Sequence, residues 1–239
     1  MISETQAARS YVSFWRNALP FADRFVRQMN VQLEHFQSPS RTELPPDRNA
    51  LVSEIGFRLF RESIFLGNYF PTSGDLNGVL LGDIVHESWR YISQLERAGF
   101  ELLPASEYEI EEALLLANQL SNFFINHEKT SNIIISPHFK GCGIIDRCYG
   151  DAIADNTLYE IKNVERFFRI TDLRQILIYF ALNYEAIQYQ VTNICLLNPK
   201  HGRLYRTSLE LLCRSVSGQN SSELLASIIH FFSIDSHSG

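Results

Sequence analysis

An aspartate, a glutamate and a lysine are spaced along one short stretch of the sequence in a way that suits divalent-metal chemistry. Asp151 is followed by Glu160-Ile-Lys162, and apolar residues flank both motifs. The residues on either side of Asp155-Asn156 are rich in β-branched and apolar side chains, which predicts two short strands. Because Asp and Asn tolerate positive φ, this pair predicts a two-residue hairpin turn.

The register of such a hairpin predicts which side chains lie opposite each other. The turn sets three opposed pairs: Ala154 with Thr157, Ile153 with Leu158, and Asp151 with Glu160. Opposed residues have Cβ atoms about 4.5–5.5 Å apart. Two carboxylates at that separation repel each other by roughly a few kcal/mol at low effective dielectric. A divalent cation between them would remove that penalty, and strand alternation places Lys162 on the same face as Glu160.

Two carboxylates and an ammonium group on one face predict a site for Mg²⁺ or Mn²⁺. Mg²⁺ is typically held by one or two carboxylates together with waters and substrate phosphate oxygens. The metal can polarise a phosphodiester and lower the pKa of a bound water. Lys162 can orient that water or neutralise charge that develops on the phosphate. The alternative interpretation is a solvated hairpin with ordinary surface charges.

Residues from about 137 to 199 resemble the core of the PD-(D/E)xK nuclease superfamily. The run Gln175-Ile-Leu-Ile-Tyr179 is similar to the QxxxY motif of its RecB-like and Cas4-like branch. The resemblance implies that Asp151 and Glu160 bind the metal and that Lys162 assists catalysis. It also implies that Gln175 and Tyr179 approach the metal site or the DNA. The motifs are short, so their order and spacing carry the resemblance.

Some ligand positions stay open at this point. Many members of the superfamily carry the metal-binding aspartate in a G-x-x-D strand, and Gly143-Ile-Ile-Asp146 also fits that pattern, although the hairpin register favours Asp151. His138, just before the hairpin, could also approach the metal. Members also place a Glu or His ligand on a helix before the core, and four residues are candidates for it: Glu54, His86, Glu111 and Glu112. The sequence does not distinguish among these four.

The elements predicted around these motifs give an α/β fold. Helical periodicity dominates residues 1–130, which we predict to be an N-terminal helical region and a possible partner interface. Residues 131–239 are predicted to be the nuclease core, with strands before and after a helix that Thr171 caps. A strand–helix–strand unit implies a parallel pair with a right-handed crossover, and residues 202–207 are predicted to form an edge hairpin. The predicted class is a restriction-endonuclease-like mixed sheet flanked by helices.

Charge and composition limit the class of protein. The net charge is −6, and the whole acidic excess lies in residues 1–130, because residues 131–239 carry 10 acidic and 10 basic side chains. Basic residues cluster beside the motif, at Lys162, Arg166, Arg169 and Arg174. A self-sufficient DNA-binding module usually has a stronger basic footprint. The balance therefore predicts a partner that delivers DNA, such as a helicase or ATPase subunit.

Other features predict a protein of the cytoplasm. The four cysteines show neither a CxxC pair nor zinc spacing, which favours free thiols in a reducing compartment. The N-terminus lacks the features of a signal peptide, and no apolar run is long enough to span a membrane. The histidines form no HExxH pattern, and no phosphate-binding glycine loop is present. The sequence is also compatible with a homo-oligomer.

The predicted function is therefore metal-dependent hydrolysis of DNA phosphodiester bonds, in a prokaryotic phage-defence, restriction or repair system. The alternative is a catalytically inactive subunit with the nuclease fold, acting as a scaffold through its aromatic N-terminal helices. DNA versus RNA and exonuclease versus endonuclease activity stay open.

Overall fold

The structure is a computed structural model that describes residues 1–39, 44–67, 78–95, 103–130 and 132–234. The α-helices of these residues are α1 (Glu4–Arg9), α2 (Val12–Ala18), α3 (Ala22–Val31), α4 (Pro46–Leu66), α5 (Gly78–Leu95), α6 (Glu107–Asn122), α7 (Ile170–Ala186), α8 (Leu209–Ser217) and α9 (Ser221–Ile234). A π-helical turn, Phe123–His127, extends α6. No helix in the described ranges has both the length and the hydrophobicity needed to cross a bilayer.

A six-stranded mixed sheet lies at the centre of the molecule. The strands are β1 (Glu34–His35), β2 (Ile133–Ile135), β3 (His138–Phe139), β4 (Cys148–Tyr149), β5 (Ala152–Ala154), β6 (Thr157–Ile161), β7 (Asn193–Asn198) and β8 (Arg203–Ser208). The sheet order is β1-β8-β7-β6-β5-β2, while β3 and β4 form a separate two-stranded ribbon. Strands β6 and β7 are parallel and joined through α7, and the other neighbours in the sheet are antiparallel. The predicted fold class and the predicted parallel pair are confirmed.

The β5–β6 hairpin has the predicted register. Ala154 pairs with Thr157 and Ile153 with Leu158. The turn begins at Asp155, whose φ of 51° is in the left-handed region that Asp adopts more readily than most residues. Since Ala152 pairs with Tyr159, the next opposed positions in the same register belong to Asp151 and Glu160.

Helices cover both faces of the sheet. Helices α1–α3 and α7–α9 pack on one face, where they share a hydrophobic core with Leu158. Helices α4–α6 pack on the other face, where they share a core with Tyr159. Successive residues of β6 thus enter opposite cores, as the two-residue repeat of a strand requires. Residues 1–130 and 131–239 therefore share both cores, and the predicted boundary near residue 130 separates segments that pack together.

Helix α4 lies very close to α6 because of one glycine. A Cβ atom at Gly56 would lie 2.8 Å from Leu116 Cδ2 and 2.9 Å from the carbonyl oxygen of Ala113. Only a residue without a side chain allows this approach of the two helices. The packing fixes the position of α4 over the sheet end that carries Asp151.

Several local predictions were wrong. The N-cap of α7 is Arg169 and not Thr171, and Asp172 in the first turn accepts a hydrogen bond from the backbone N–H of Arg169 at 2.8 Å. Residues 203–208 are not at the sheet edge, since β1 pairs with β8 on its outer side. The helical pattern of the N-terminal residues is confirmed, although residues 1–39 form three short helices and strand β1, with Pro20 in the break between α2 and α3, where proline disfavours continuation of a helix.

Candidate active site

The predicted site residues lie on three segments that meet at one end of the β5–β6 hairpin. Glu160 is in β6 and Lys162 follows that strand, while Asp151 directly precedes β5. Gln175 and Tyr179 are one turn apart in α7, which packs on the face of the sheet that receives Leu158. Because Glu160 is two residues beyond Leu158, strand alternation directs its side chain toward the same face.

Lys162 is the centre of a short polar network. Its Nζ lies 2.5 Å from Glu160 Oε1 and donates a hydrogen bond to Gln175 Oε1 at 2.9 Å. Burial lowers the pKa of Lys162, but the fields of Glu160 and Asp151 outweigh burial and raise this pKa above its ordinary value. Lys162 is therefore a fixed cation near neutral pH.

Gln175 and Tyr179 hold that lysine in place. Gln175 accepts from Lys162 through Oε1, and its Nε2 donates to the Tyr179 hydroxyl at 3.0 Å. The Tyr179 hydroxyl in turn donates to the carbonyl oxygen of Tyr149 at 3.1 Å. Tyr179 is 2% exposed and stacks on Phe139. Among the described residues, its hydrogen bond to the site is the one with Gln175, and both residues position Lys162.

Glu160 has a buried oxygen without a hydrogen-bond partner. The residue is 2% exposed, and while Oε1 pairs with Lys162, Oε2 has no hydrogen-bond partner in the part of the chain that the structure describes. Burial raises the pKa of Glu160 to about 8, with Asp151 contributing to the rise and Lys162 opposing it. Buried polar atoms without a partner are uncommon and call for an explanation such as a site for an ion.

Asp151 approaches the same position from the other strand of the hairpin. Its Oδ2 accepts a hydrogen bond from the backbone N–H of Ile161 at 2.6 Å. Burial raises the pKa of Asp151, Lys162 opposes the rise, and the carboxylates of Glu54 and Glu4 add to it. Asp151 and Glu160 thus titrate as an interacting pair. Because both pKa values are raised, a proton leaves the pair less readily than it leaves a carboxyl group exposed to water.

Glu54 is the upstream carboxylate that the structure brings toward the hairpin. It lies on α4 and lines a cavity of about 180 Å³ together with Asp151 and Asn163. Its charge is partly balanced by Arg58, which donates to Glu54 Oε1 at 2.6 Å. Of the four candidates for the helical ligand, Glu54 is therefore the one beside the site.

The other candidate ligands lie elsewhere. Asp146 accepts a hydrogen bond from the backbone N–H of Arg147 at 2.8 Å, within its own loop. Glu111 and His86 are exposed, and Glu112 lines a different cavity with Lys200. The ring of His138 packs on Tyr149, and no hydrogen bond joins it to the acidic pair among the described residues.

Sequence reasoning missed Glu4. This residue lies at the start of α1, and its Oε1 is 3.5 Å from Gln175 Nε2. The contact joins residues 171 positions apart, and it depends on the packing of α1 against α7. A single sequence contains no local signal for such a contact.

The residues present fit a hard divalent cation. Asp151 and Glu160 supply carboxylate oxygens, the ligands that Mg²⁺ and Mn²⁺ prefer, and the unpaired Oε2 of Glu160 is a buried acceptor of the kind a cation would satisfy. The described ranges contain no cluster of three or more His, Cys, Asp or Glu side chains that could hold a metal. A cation bound by these two carboxylates would therefore need water and substrate oxygens as its other ligands.

Comparisons with known proteins did not identify a relative. No protein-family model matches the chain, and neither a curated protein nor a solved structure is significantly similar to it.

Proposed function

We propose that the protein is a nuclease that hydrolyses DNA phosphodiester bonds with Mg²⁺ or Mn²⁺. The observation that carries the proposal is the buried Glu160 carboxylate, which interacts electrostatically with Asp151 and has one oxygen paired with Lys162, while its other oxygen has no hydrogen-bond partner among the described residues. Folding does not favour this arrangement unless another group completes it, because an unpaired buried acceptor costs roughly 1–3 kcal/mol.

Each residue has a distinct role in the proposed reaction. Asp151 and Glu160 would hold the metal, which supplies Lewis acidity toward the phosphate and lowers the pKa of a bound water. Lys162 stays protonated and neutralises negative charge that develops on the phosphate oxygens, because fixed cations stabilise such charge without reorganisation. Gln175 orients Lys162, and Tyr179 orients Gln175.

The packing of the aromatic N-terminal residues supports an enzyme over a scaffold. Phe14 stacks on Phe231 with ring centroids 3.9 Å apart, and Tyr11 lies edge-on to Phe231 and Phe232 at 5.4 Å. Trp15 is fully buried. These three side chains pack inside the molecule. Within residues 1–39, Phe21 is the aromatic side chain that is exposed, at 52%, so these helices offer only a small aromatic surface for the docking that the scaffold hypothesis requires.

The wider setting of the enzyme belongs to the same proposal. The net charge of −6 gives little non-specific attraction for a polyanion, which supports a helicase or ATPase partner that delivers DNA, as in phage defence, restriction or repair. The four cysteines are free thiols, which suits the reducing cytoplasm.

A cleavage assay with two matched aspartate variants tests the proposal. Labelled single-stranded DNA, duplex DNA and RNA are each incubated with the full chain and Mg²⁺, Mn²⁺ or EDTA. We expect metal-dependent cleavage of DNA that Asp151→Asn abolishes and that Asp146→Asn, the same change in the neighbouring loop, leaves intact. Cleavage that survives both changes, or that proceeds in EDTA, contradicts the assignment. Cleavage restricted to RNA contradicts the substrate.

A further inference from the structure

A cleft of about 920 Å³ opens beside Lys162 and Gln175. Its walls come from α1, α3 and the segment that leads into α7, so both the N-terminal helices and the predicted core contribute to it. Five basic residues line it: Arg9, Arg27, Lys162, Arg166 and Arg169. The cleft is therefore continuous with the proposed active site and is basic in a protein whose net charge is −6.

Two of the five cations are already neutralised by buried carboxylates. Arg166 donates to both oxygens of Asp172, at 2.7 and 2.9 Å, and Asp172 is 3% exposed. Lys162 pairs with Glu160. These two pairs position the cleft wall, and they contribute less charge to binding a strand along the cleft than cations without a carboxylate partner would.

The other three arginines are available to a ligand. Arg9, Arg27 and Arg169 are exposed, and the ion pairs among the described residues include none of them. Asp23 is the opposing carboxylate that also lines the cleft. Three guanidinium groups around one cavity favour an anion with several binding groups, because guanidinium donors match phosphate oxygens in a bidentate geometry.

The size of the cleft favours a single strand of nucleic acid over a duplex as its ligand. Its volume lies within the roughly 300–1,000 Å³ of small-ligand sites, which accommodates a few nucleotides of one strand. A duplex is too wide to enter such a cavity. Grooves that combine positive charge with this scale are typical of single-strand binding.

We propose that Arg9, Arg27 and Arg169 form a phosphate-binding subsite that holds a single strand of DNA beside Lys162. The inference rests on the proposed function, and it names the form of the substrate and the residues that hold it. Two of these arginines come from the N-terminal helices, so those helices complete the substrate site of the core.

Equilibrium binding without cleavage tests the subsite. The anisotropy of a fluorescent oligothymidylate is measured with the full chain, in EDTA and again in Ca²⁺, over a series of salt concentrations. At about 0.7 per phosphate contact on a single strand, the triple variant R9Q/R27Q/R169Q should lower the slope of log affinity against log salt by about 2. Each single variant should lower it by about 0.7.

Two arginines provide matched controls. Arg24 is on the same helix as Arg27 but lines a different groove with Phe21 and Tyr205, and Arg16 is exposed on α2. The double variant R16Q/R24Q removes two positive charges, against three in the triple variant, and leaves the cleft unchanged, so its slope should stay within about 0.3 of wild type. Circular dichroism checks that every variant is folded, and the single variants replace the triple variant if it is not.

The outcomes separate this inference from the proposed function. Equal affinities and slopes for the triple variant and the wild type, or no binding by the wild type, overturn the subsite. Unlabelled blunt duplex that competes as well as single strand overturns the single-strand assignment. Arginine-dependent binding without metal-dependent cleavage keeps the subsite and removes the nuclease. Metal-dependent cleavage and binding that the arginine substitutions do not change keep the nuclease proposal and overturn the subsite.

Discussion

Two regions of this protein each bury a glutamate beside a basic side chain, and they treat the carboxylate in opposite ways. At the start of α6, Glu109 is 6% exposed and accepts hydrogen bonds from Arg48, from the backbone N–H of Ser106 and from its hydroxyl. In the hairpin, Glu160 is 2% exposed, and one of its oxygens has no hydrogen-bond partner within the described ranges.

The pKa values of the two groups follow from that difference. The hydrogen bonds from Arg48 lower the pKa of Glu109 to about 2 despite partial burial, whereas burial raises the pKa of Glu160 to about 8. A buried carboxylate whose oxygens accept hydrogen bonds stabilises the fold in its ionised form. A buried carboxylate with an unpaired oxygen is disfavoured in its ionised form until a cation or a hydrogen-bond donor binds to it. Perturbations of the second kind are typical of functional sites.

The largest expected effect separates the two glutamates by activity. Glu160→Gln removes the charge that would hold the metal and that fixes Lys162, so we expect cleavage to fall by about 10³-fold, or roughly 4 kcal/mol. Glu109→Gln should leave the rate per folded molecule within about twofold, since Glu109 lies outside the site. Single-turnover rates measure both. Equal losses of the cleavage rate in the two variants would show that Glu160 has no special role in the reaction.

The next largest effect distinguishes Glu109 from Glu160 by how the free energy of unfolding depends on pH. The folded pKa of Glu109 is depressed, so its stabilisation is present above the unfolded value of 4.5 and is lost as the pH falls toward about 2. We expect Glu109→Gln to cost about 3 kcal/mol near neutral pH, measured by urea unfolding. This difference from wild type should shrink below about pH 4.5, and a difference independent of pH would contradict the prediction.

Metal binding should offset the loss of stability that the hairpin carboxylates cause at high pH. The folded pKa of Glu160 is raised, so the metal-free protein should lose stability as the pH rises from 4.5 through about 8. Mn²⁺ at about 100 times its dissociation constant should add about 2.7 kcal/mol, with the larger melting shift at the higher pH because protons no longer compete. Asp151→Asn should abolish the shift in a thermal scan, and a shift retained by that variant places the ion elsewhere.

The smallest effect concerns two tyrosines on opposite faces of the sheet. Tyr179→Phe removes a hydrogen bond to the carbonyl oxygen of Tyr149 and should cost about 1 kcal/mol of stability. Cleavage should fall by less than about tenfold, since Tyr179 acts through Gln175. Tyr159→Phe loses a hydrogen bond to Glu128 and should cost similar stability with unchanged cleavage. Identical cleavage losses would show that the polar network does not position Lys162.

The sequence predicted the hairpin and its register because these depend on neighbouring residues. Asp155-Asn156 fixes a tight turn, and the turn alone sets which residues face each other. The contact between Gln175 and Tyr179 was predictable for the same reason, since helical spacing places them one turn apart.

What could not be predicted depends on contacts between distant segments. The choice of Glu54 among four candidates required the packing of α4 over the hairpin, and the contribution of Glu4 required the docking of α1 on α7. The strand pairing of residues 34–35 with β8 has no local pattern of its own. The helix begins after Arg169 rather than after Thr171, because the Asp172 carboxylate, which Arg166 holds in place, accepts a hydrogen bond from the backbone N–H of Arg169. Helix propensities contain no information about that pairing.

The missing side chain at Gly56 has a consequence beyond helix packing. Because a methyl group there would collide with Leu116 and Ala113, a side chain at this position would push α4, the helix that carries Glu54, away from α6. Since Glu54 and Asp151 line the same cavity, we expect a substitution at Gly56 to shift these two carboxylates relative to each other while the hairpin sequence stays unchanged.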